Sequence, residues 1–216
     1  MKNTNPIKDG IKSDVYLMDC IEGMKQFPDK FFDLAVVDPP YGIGAENHAG
    51  NKANGWTQWD KKDWDKNIPT SEYWEQLFRV SKNQIVWGAN YMTEYLPPKM
   101  GWIIWDKGQR NFSLADGEMA WTSFDKAMRI FTYARAKALQ EGKIHPTQKP
   151  ISLYEWIFDK YAQTNDLILD THLGSQSSRI AANNARLDFV GFEIDREYFD
   201  TGNKRFENVV SQGVLF

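Results

Sequence analysis

The sequence predicts an α/β fold, one domain built around a mostly parallel central sheet. Three observations point there. Apolar runs such as Leu34 to Val37 and Asp166 to Asp170 are too short for helices and recur along the chain. Amphipathic stretches with helical spacing separate them. A length of 216 residues, with 42% hydrophobic and 25% charged side chains, suits one full-sized globular domain rather than two. Strands alternating with helices imply a parallel sheet covered on both faces, with ligands at the carboxyl ends of its strands.

Val15 to Met18 reads as the first strand. A helix follows in which Ile21, Met24 and Phe27 share one side before Pro28 stops it. Leu34 to Val37 is a buried strand running straight into Asp38-Pro39-Pro40-Tyr41. The 28 residues from Gly42 to Pro69 carry no sustained periodicity and form a long insertion loop, a length usually reserved for lids and binding loops. Thr70 or Ser71 caps a helix with Tyr73, Trp74, Leu77 and Phe78 on one face. Ile85 to Trp87, Trp102 to Trp105, Ala120 to Phe124 and Met128 to Tyr133 read as strands. A helix runs from Pro150 to about Ala162, with Leu153, Trp156, Ile157 and Tyr161 buried. Asp166 to Asp170 is a strand, Ser177 to Ala185 a helix and Phe189 to Glu193 a strand. The last helix carries Tyr198, Asn203 and Phe206 along one side.

Composition removes several classes. The single cysteine, Cys20, excludes an intrachain disulfide and a cysteine-rich zinc cage. The opening MKNTNPIKDG lacks the apolar stretch of a signal peptide, and no run of about 18 apolar residues exists to span a membrane, so the expected compartment is the cytoplasm. A net charge of −3 speaks against a protein coated in basic charge, so any nucleic-acid surface has to be a confined one. Neither His48 nor His172 has a second ligand at metal-site spacing, and no metal is expected.

Three strand ends carry chemistry: Asp38-Pro39-Pro40-Tyr41, the run from Asp170 to Ser175, and Glu193-Ile194-Asp195. Two consecutive prolines fix the backbone extended and donate nothing, so the Pro39 carbonyl faces beyond the sheet beside the Asp38 carboxylate. Two acceptors under the flat ring of Tyr41 suit an exocyclic amino group on a heteroaromatic base. Its lone pair is delocalised into the ring, and accepting both N–H groups would redirect that lone pair at an electrophile. A Pro-rich turn with Asp38 as a helix cap is the plain structural alternative. After Asp170, the small residues Gly174, Ser175, Ser177 and Ser178 allow close backbone approach before a helix, although a tight strand-to-helix turn explains them equally. Glu193 follows Asp170 by 23 residues, near the distance at which an acidic residue takes ribose hydroxyls, and it could equally cap the helix at Asp195.

VDPPYG at 37 to 42, HPTQKP at 145 to 150 and DLILDTHLGSQSS at 166 to 178, in that order, resemble the amino-group DNA methyltransferases of the permuted beta group. VYLMDCIEGMKQFPDKFFDLAVVDPPYG is similar to the opening of that family, and the likeness runs over nearly the whole chain. It implies a Rossmann-like class I methyltransferase of circularly permuted motif order, with parallel strands plus one reversed edge hairpin strand. The implied cofactor is S-adenosylmethionine, without a metal. The implied reaction is methylation of the N6 amino group of adenine in DNA. N4-cytosine methylation is the near alternative, and a DNA-binding module without catalysis a more distant one. A nicotinamide oxidoreductase would share the sheet but lacks G-x-G-x-x-G and a use for Asp-Pro-Pro-Tyr. Ranked by role, Asp170 ends the first strand, Glu193 the second, Asp19 the third and Asp38 the fourth.

By the same resemblance Asp38, Pro39, Pro40 and Tyr41 are catalytic, Asp38 also bordering the cofactor. Asp170, Thr171, Leu173, Gly174, Ser175 and Ser177 hold its methionine part. Glu193, with Ile194, takes the ribose, Asp19 and Cys20 flank the adenine, and His145, Thr147 and Lys149 close the pocket. Gln176 stands where relatives commonly carry glycine, and its side chain is expected to crowd the cofactor.

The implied partner is double-stranded DNA with a flipped target base, in a restriction-modification setting in a bacterium or the host of a phage. Between Lys126 and Lys143 five basic residues, Lys126, Arg129, Arg135, Lys137 and Lys143, face one acidic residue, Glu141, and form the expected phosphate-binding stripe, with strongly salt-dependent affinity. Lys61 and Lys62 in the long loop, and Lys107 and Arg110 in WDKGQRN, are further DNA candidates. Trp56, Trp59 and Trp64 either fill the gap left by an extruded base or pin the loop to the core. The domain spans 1–216, and its recognition segment, 134–144, is minimal. Sequence specificity then comes from the 42–69 loop, the Lys107 to Asp116 turn, or a second subunit of a homodimer.

Overall fold

The structure is a computed structural model that describes residues 12–44, 64–111 and 115–213. In chain order the elements are β1 (Ser13–Leu17), α1 (Cys20–Met24), β2 (Phe32–Val37), α2 (Ser71–Val80), β3 (Ser81–Trp87), a 3-10 turn (Ala89–Tyr91), β4 (Trp102–Asp106), β5 (Gly117–Thr122), β6 (Arg129–Thr132), α3 (Arg135–Gln140), α4 (Ile151–Tyr161), β7 (Leu167–Asp170), α5 (Ser177–Asn184), β8 (Asp188–Glu193) and α6 (Arg196–Gly213). The strands form one eight-stranded sheet in the order β1-β8-β7-β2-β3-β5-β4-β6.

Pairing is parallel from β1 across to β3, and β4 and β6 also run parallel to each other. Only β5 is reversed, antiparallel to both β3 and β4. The reversed strand therefore lies inside the sheet, not at its edge as the resemblance implied. The reason is connectivity: β4 lands one strand away from β3, β5 folds back into the gap, and β6 adds outside β4. With strands ranked by role, the first five run 3-2-1-4-5.

Strand alternation explains why both faces are apolar. Along β2, Leu34 and Val36 point to one core and Ala35 and Val37 to the other, and Ile85 and Trp87 oppose Val86 along β3. The first face is covered by Leu153, Tyr154, Ile157, Phe158 and Tyr161 of α4 and by Ala181 and Ala182 of α5. The second is covered by Met24 and Phe27 at α1 and by Tyr73, Trp74, Leu77 and Val80 of α2. Much of the high aromatic content is core, as Trp87 and Trp121 are almost completely buried.

Three local features differ from the sequence reading. β3 begins at Ser81, directly after α2, so a polar start, Ser81 to Gln84, belongs to the strand. Gln84 is buried and bonds back to the Ser81 carbonyl and hydroxyl, which satisfies a polar side chain that looked like a loop residue. Segment 134–144 contains a short helix, α3, that no periodicity announced. Thr70 occupies the N-cap position of α2 but makes no side-chain capping bond.

Candidate active site

The strand order reverses between β7 and β2, since the β7 connection goes outward to β8 on one side and the β2 connection to β3 on the other. A parallel sheet opens a crevice at that point, beyond the carboxyl ends of the two strands. Asp170 closes β7, and Asp38 follows β2 by one residue. The permuted chain thus brings residues far apart in sequence to one crevice.

The turn after β2 is held from outside. Asp65, buried in the returning end of the long loop, accepts the backbone N–H of Tyr41 and that of Gly42, the latter at 2.9 Å. Prolines 39 and 40 donate nothing, so these are the first N–H groups after Asp38 that the turn can offer. The Tyr41 ring lies on Gly88, where a Cβ would come 2.0 Å from Tyr41 Cε1, and Gly88 has φ +67°. Glycine is required there on both counts. Tyr91, half exposed, stacks on Tyr41 with centroids 5.4 Å apart and planes 18° apart.

Asp38 uses both oxygens. Tyr41 donates its hydroxyl to Oδ1 at 2.6 Å, and Lys149 donates to Oδ2 at 2.5 Å. Lys149 is 3% exposed and also lies 3.2 Å from Glu118 Oε2 on β5 and 5.3 Å above the Trp87 ring. Glu118 Oε1 in turn meets Lys107 at 2.6 Å. Four charges therefore alternate in sign, Asp38, Lys149, Glu118, Lys107, which is how a nearly dry site tolerates ions. Burial pushes the Asp38 carboxyl up against the pull of Lys149. Burial also works against the charge on Lys149, but its two carboxylates outweigh it and hold the ammonium. Glu118 is partly buried, and Lys149 and Lys107 hold it down to about 2.

A cavity of about 340 Å³ lies on the other side of Asp38. Its floor is the turn from Thr171 to Ser175. Its far end is Glu193, Ile194, Asp19 and Cys20, and its roof is His145, Thr147 and Lys149. Glu193 binds the turn as well as facing the cavity: it accepts Gly174 N–H at 2.8 Å and Asp195 N–H at 2.9 Å. Asp19 accepts Ile21 and Glu22 N–H groups as the N-cap of α1. Burial and Asp19 push the Cys20 thiol up to about 12. His145 meets the Tyr198 ring edge-on at 4.3 Å and Trp64 at 5.4 Å, forming an aromatic wall.

Asp170 and Gln176 depart from the sequence reading. Asp170 does not line the cavity but lies under its floor, accepting the Ser178 hydroxyl and His172 N–H, and burial raises it to about 7. His172 is held neutral, its pKa lowered to about 4 by desolvation, with Thr171 Oγ1 linking it at 2.9 Å to a 2.8 Å contact with Tyr73. Gln176, expected to crowd the cofactor, points the other way. Its φ of +57° explains why glycine would be easy there, and its side chain meets Arg179 at 2.8 Å and Asn203 at 3.2 Å. Gly202 leaves the room, since a Cβ there would sit 2.7 Å from Gln176 Cγ.

Residues 86–204, more than half of the chain, match the N6/N4 family of DNA methylases. The chain belongs to that family. It is an S-adenosylmethionine-dependent DNA amino-methyltransferase. It is 27% identical to the Type II methyltransferase M.HinfI of Haemophilus influenzae, with 88% of this chain and 67% of that protein aligned. It is 25% identical to the Type II methyltransferase M2.MboI of Moraxella bovis over 91% of this chain and 88% of that one. Among solved structures, the M1.HpyAVI complex with SAM superposes with a TM-score of 0.60 at 23% identity, covering 89% of this chain and 98% of that one. The cytosine-N4-specific PvuII DNA methyltransferase superposes at 0.58 with 14% identity, covering 93% and 90%. These superpositions show the α/β methyltransferase fold.

The methylase's residues fit its cofactor on their own geometry. The cavity is within the ~300–1,000 Å³ of small-molecule sites. Its lining offers both carboxylates and aromatic rings, and the indole N–H of Trp64, on its wall, is buried with no acceptor among the described residues. Three described groups in this methylase site escaped sequence reasoning. Asp65 was one acid among several in a polar loop, Glu118 one charge in a strand, and Tyr91 one aromatic after β3. None had a local pattern to single it out.

The basic residues expected to meet DNA divide into groups. Arg129 on β6 and Lys137 on α3 are exposed, and Arg135 on α3 is partly so. Lys143 is half-buried, and burial together with Arg135 and Lys107 lowers its pKa. Lys107 is drawn inward to Glu118 with 15% of its side chain exposed, and Arg110 forks onto both oxygens of Asp106 at 2.8 and 3.0 Å. Lys126 lies over the Phe124 and Tyr161 rings. Lys61 and Lys62, with Trp56 and Trp59, lie outside the described residues, whereas Trp64 packs in the cavity wall. Among the described residues no helix is long and apolar enough to cross a membrane.

Proposed function

We propose that this methylase transfers a methyl group to the N6 amino group of adenine in double-stranded DNA, acting on a base flipped out of the stack. The main support is the Asp38-Pro39-Pro40-Tyr41 turn at the switch point, with the cofactor-sized cavity against Pro40 and Asp38 on one side and the Tyr41–Tyr91 ring pair on the other. S-adenosylmethionine supplies an electrophilic methyl group when bound. Glu193 and Asp19 would take its polar ribose and adenine end, with Cys20 and Ile194 beside the ring. The backbone from Thr171 to Ser177, supported from below by Asp170, would take the methionine end under His145, Thr147 and Lys149.

The chain's own work is to aim the amine. Asp38 and the Pro39 carbonyl accept its two N–H groups, which concentrates the nitrogen lone pair on the side facing the cavity. The Tyr41 ring, backed by Tyr91, stacks the base and fixes its plane, so attack is in line. The extruded base reaches the site because unstacking costs only a few kcal/mol. Phosphates would be met by Arg129, Arg135, Lys137 and Lys143, with Lys107 and Arg110 nearby and segment 134–144 as the recognition element, alone or with a second copy of the chain.

Adenine is preferred over cytosine because Asp-Pro-Pro-Tyr leans that way in the resembling family. Incubation with unmethylated DNA and labelled cofactor, then digestion to nucleosides, tests it. Label in N6-methyl-2′-deoxyadenosine is expected; label in N4-methyl-2′-deoxycytidine would move the assignment to cytosine.

A further inference from the structure

Lys149 presents a steric problem for the function proposed above. Its ammonium sits 2.5 Å from Asp38 Oδ2, and the Tyr41 hydroxyl sits 2.6 Å from Oδ1. An incoming amine needs one of these oxygens beside the Pro39 carbonyl. An ammonium on a carboxylate fills the same space, and donates in the same direction, as the amino group of a base. Asp38 is therefore capped by its own protein before substrate arrives.

Glu118 offers the way out. It lies on β5, the one reversed strand, and its Oε2 is 3.2 Å from Lys149 Nζ, against 2.5 Å for Asp38. The lysine stands between two carboxylates and closer to one. At 3% exposure the ammonium has little solvent contact, so moving it off Asp38 is favoured by a second acceptor inside the protein. Among the described residues, Glu118 is the acid within bonding distance of it besides Asp38. Glu118's other oxygen is tethered by Lys107 at 2.6 Å, which fixes the carboxylate in place.

We propose that Glu118 is a positioning residue for methyl transfer: it draws the Lys149 ammonium off Asp38 Oδ2 when the target amine arrives, so that Asp38 is free to orient the base. This rests on the adenine-methylating site described above. No bond is made or broken in the shift; one hydrogen bond of the ammonium is exchanged for a shorter one to Glu118. The Tyr41 hydroxyl stays on Oδ1, which retains a second lone pair. The groups facing Lys149 are Asp38 and Tyr41 from the turn after β2, Glu118 from β5 with Lys107 behind it, and Tyr154 from α4, with Asp170 beyond Asp38.

The test compares the parent with Glu118→Gln and Glu118→Asp, using unmethylated plasmid DNA and labelled S-adenosylmethionine across a pH range. With glutamine the lysine keeps one carboxylate, grips Asp38 harder and loses its proton at lower pH. The expected result is a kcat about tenfold or more below the parent near neutrality, recovering as pH rises, with cofactor affinity by calorimetry within about twofold. Glu118→Asp, which keeps the charge at shorter reach, is expected to lose only about two- to fivefold. Parent-like kcat and pH profile in Glu118→Gln would overturn the proposal while leaving the methylase reading intact. So would a uniform loss at every pH with no partial rescue by aspartate, which marks a structural role. If Glu118→Gln does not fold, an aspartate variant indistinguishable from the parent overturns it. A parent that methylates no DNA removes the functional reading, and this inference with it.

Discussion

The two turns that meet at the crevice are held by different means. The turn after β7 is held mainly by its own neighbourhood: Glu193 accepts Gly174 N–H and Asp170 accepts His172 N–H and the Ser178 hydroxyl, all within 19 residues, with Tyr73 on Thr171 and Arg205 on the Ser175 carbonyl as the distant contacts. The turn after β2 is held from afar. Asp65 reaches Tyr41 across 24 residues, Gly88 supplies the bed for its ring, and Lys149 reaches Asp38 across 111. Most bonds on the cofactor side are thus made within one strand–turn–helix stretch, whereas the catalytic side exists only when separate segments have docked. A bound cofactor needs a rigid cradle, and backbone-to-carboxylate bonds provide one cheaply. A flipped base needs an acceptor that is covered until it arrives, and a long-range ion network can open and close.

Breaking the catalytic side should cost the most. Asp38→Ala removes the amine acceptor, and kcat is expected to fall about a thousandfold, roughly 4 kcal/mol of transition-state stabilisation. Cofactor affinity should fall far less, because most of the cavity wall is elsewhere. Single-turnover methylation beside cofactor calorimetry separates the two, and a variant as active as the parent would refute the mechanism.

Asp170→Asn probes the floor of the cofactor side through pH. Asp170 titrates near 7 in the folded chain and near 3.8 when unfolded. The folded state thus holds a proton that the unfolded state has released, and stability falls as pH climbs from about 4 to 7. The contribution is roughly 4 kcal/mol over that window. The asparagine variant should lack this slope relative to the parent in urea unfolding at matched pH. Identical pH dependence in the two proteins would place the Asp170 titration elsewhere.

The smallest effect is expected at the edge of the cofactor cradle. Glu193→Ala leaves the Gly174 and Asp195 N–H groups without their acceptor and removes the predicted ribose partner. Cofactor affinity should drop about 10–100-fold, on the order of 1.5–3 kcal/mol, with DNA binding in the absence of cofactor unchanged. An unaltered dissociation constant would limit Glu193 to capping its own turn.

Much of this was legible in the sequence because it is local. Short apolar runs announced β2, β7 and β8, since a strand buried on both faces reads as continuous hydrophobics. The turns read equally well, because proline, glycine and serine restrict the backbone over a few residues. Asp38, Glu193 and the Thr171 to Ser177 run were visible as strand ends, and the motif order disclosed the permutation. The structure relocated the reversed strand, turned Gln176 toward α6 and put Asp170 beneath the cavity rather than on its wall. Each of these depends on where another segment packs: β4 for the strand, Gly202 and Asn203 for Gln176, Ser178 for Asp170.

By itself, then, the sequence determined the sheet, the permuted order of its motifs and the residues at the mouth of the crevice. The strands follow from backbone restriction and side-chain periodicity over fewer than about ten neighbours, and the motif order and site residues from the family resemblance of three short local motifs. Only the tertiary structure decided the environment of Asp38. Residues 38, 107, 118 and 149 carry no mutual pattern along the chain, and they form an alternating chain of charges because β5 inserts between β3 and β4 and brings Glu118 under the lysine. A buried ion is tolerable only beside its counter-ion, and which counter-ion that is depends on packing between segments distant in sequence.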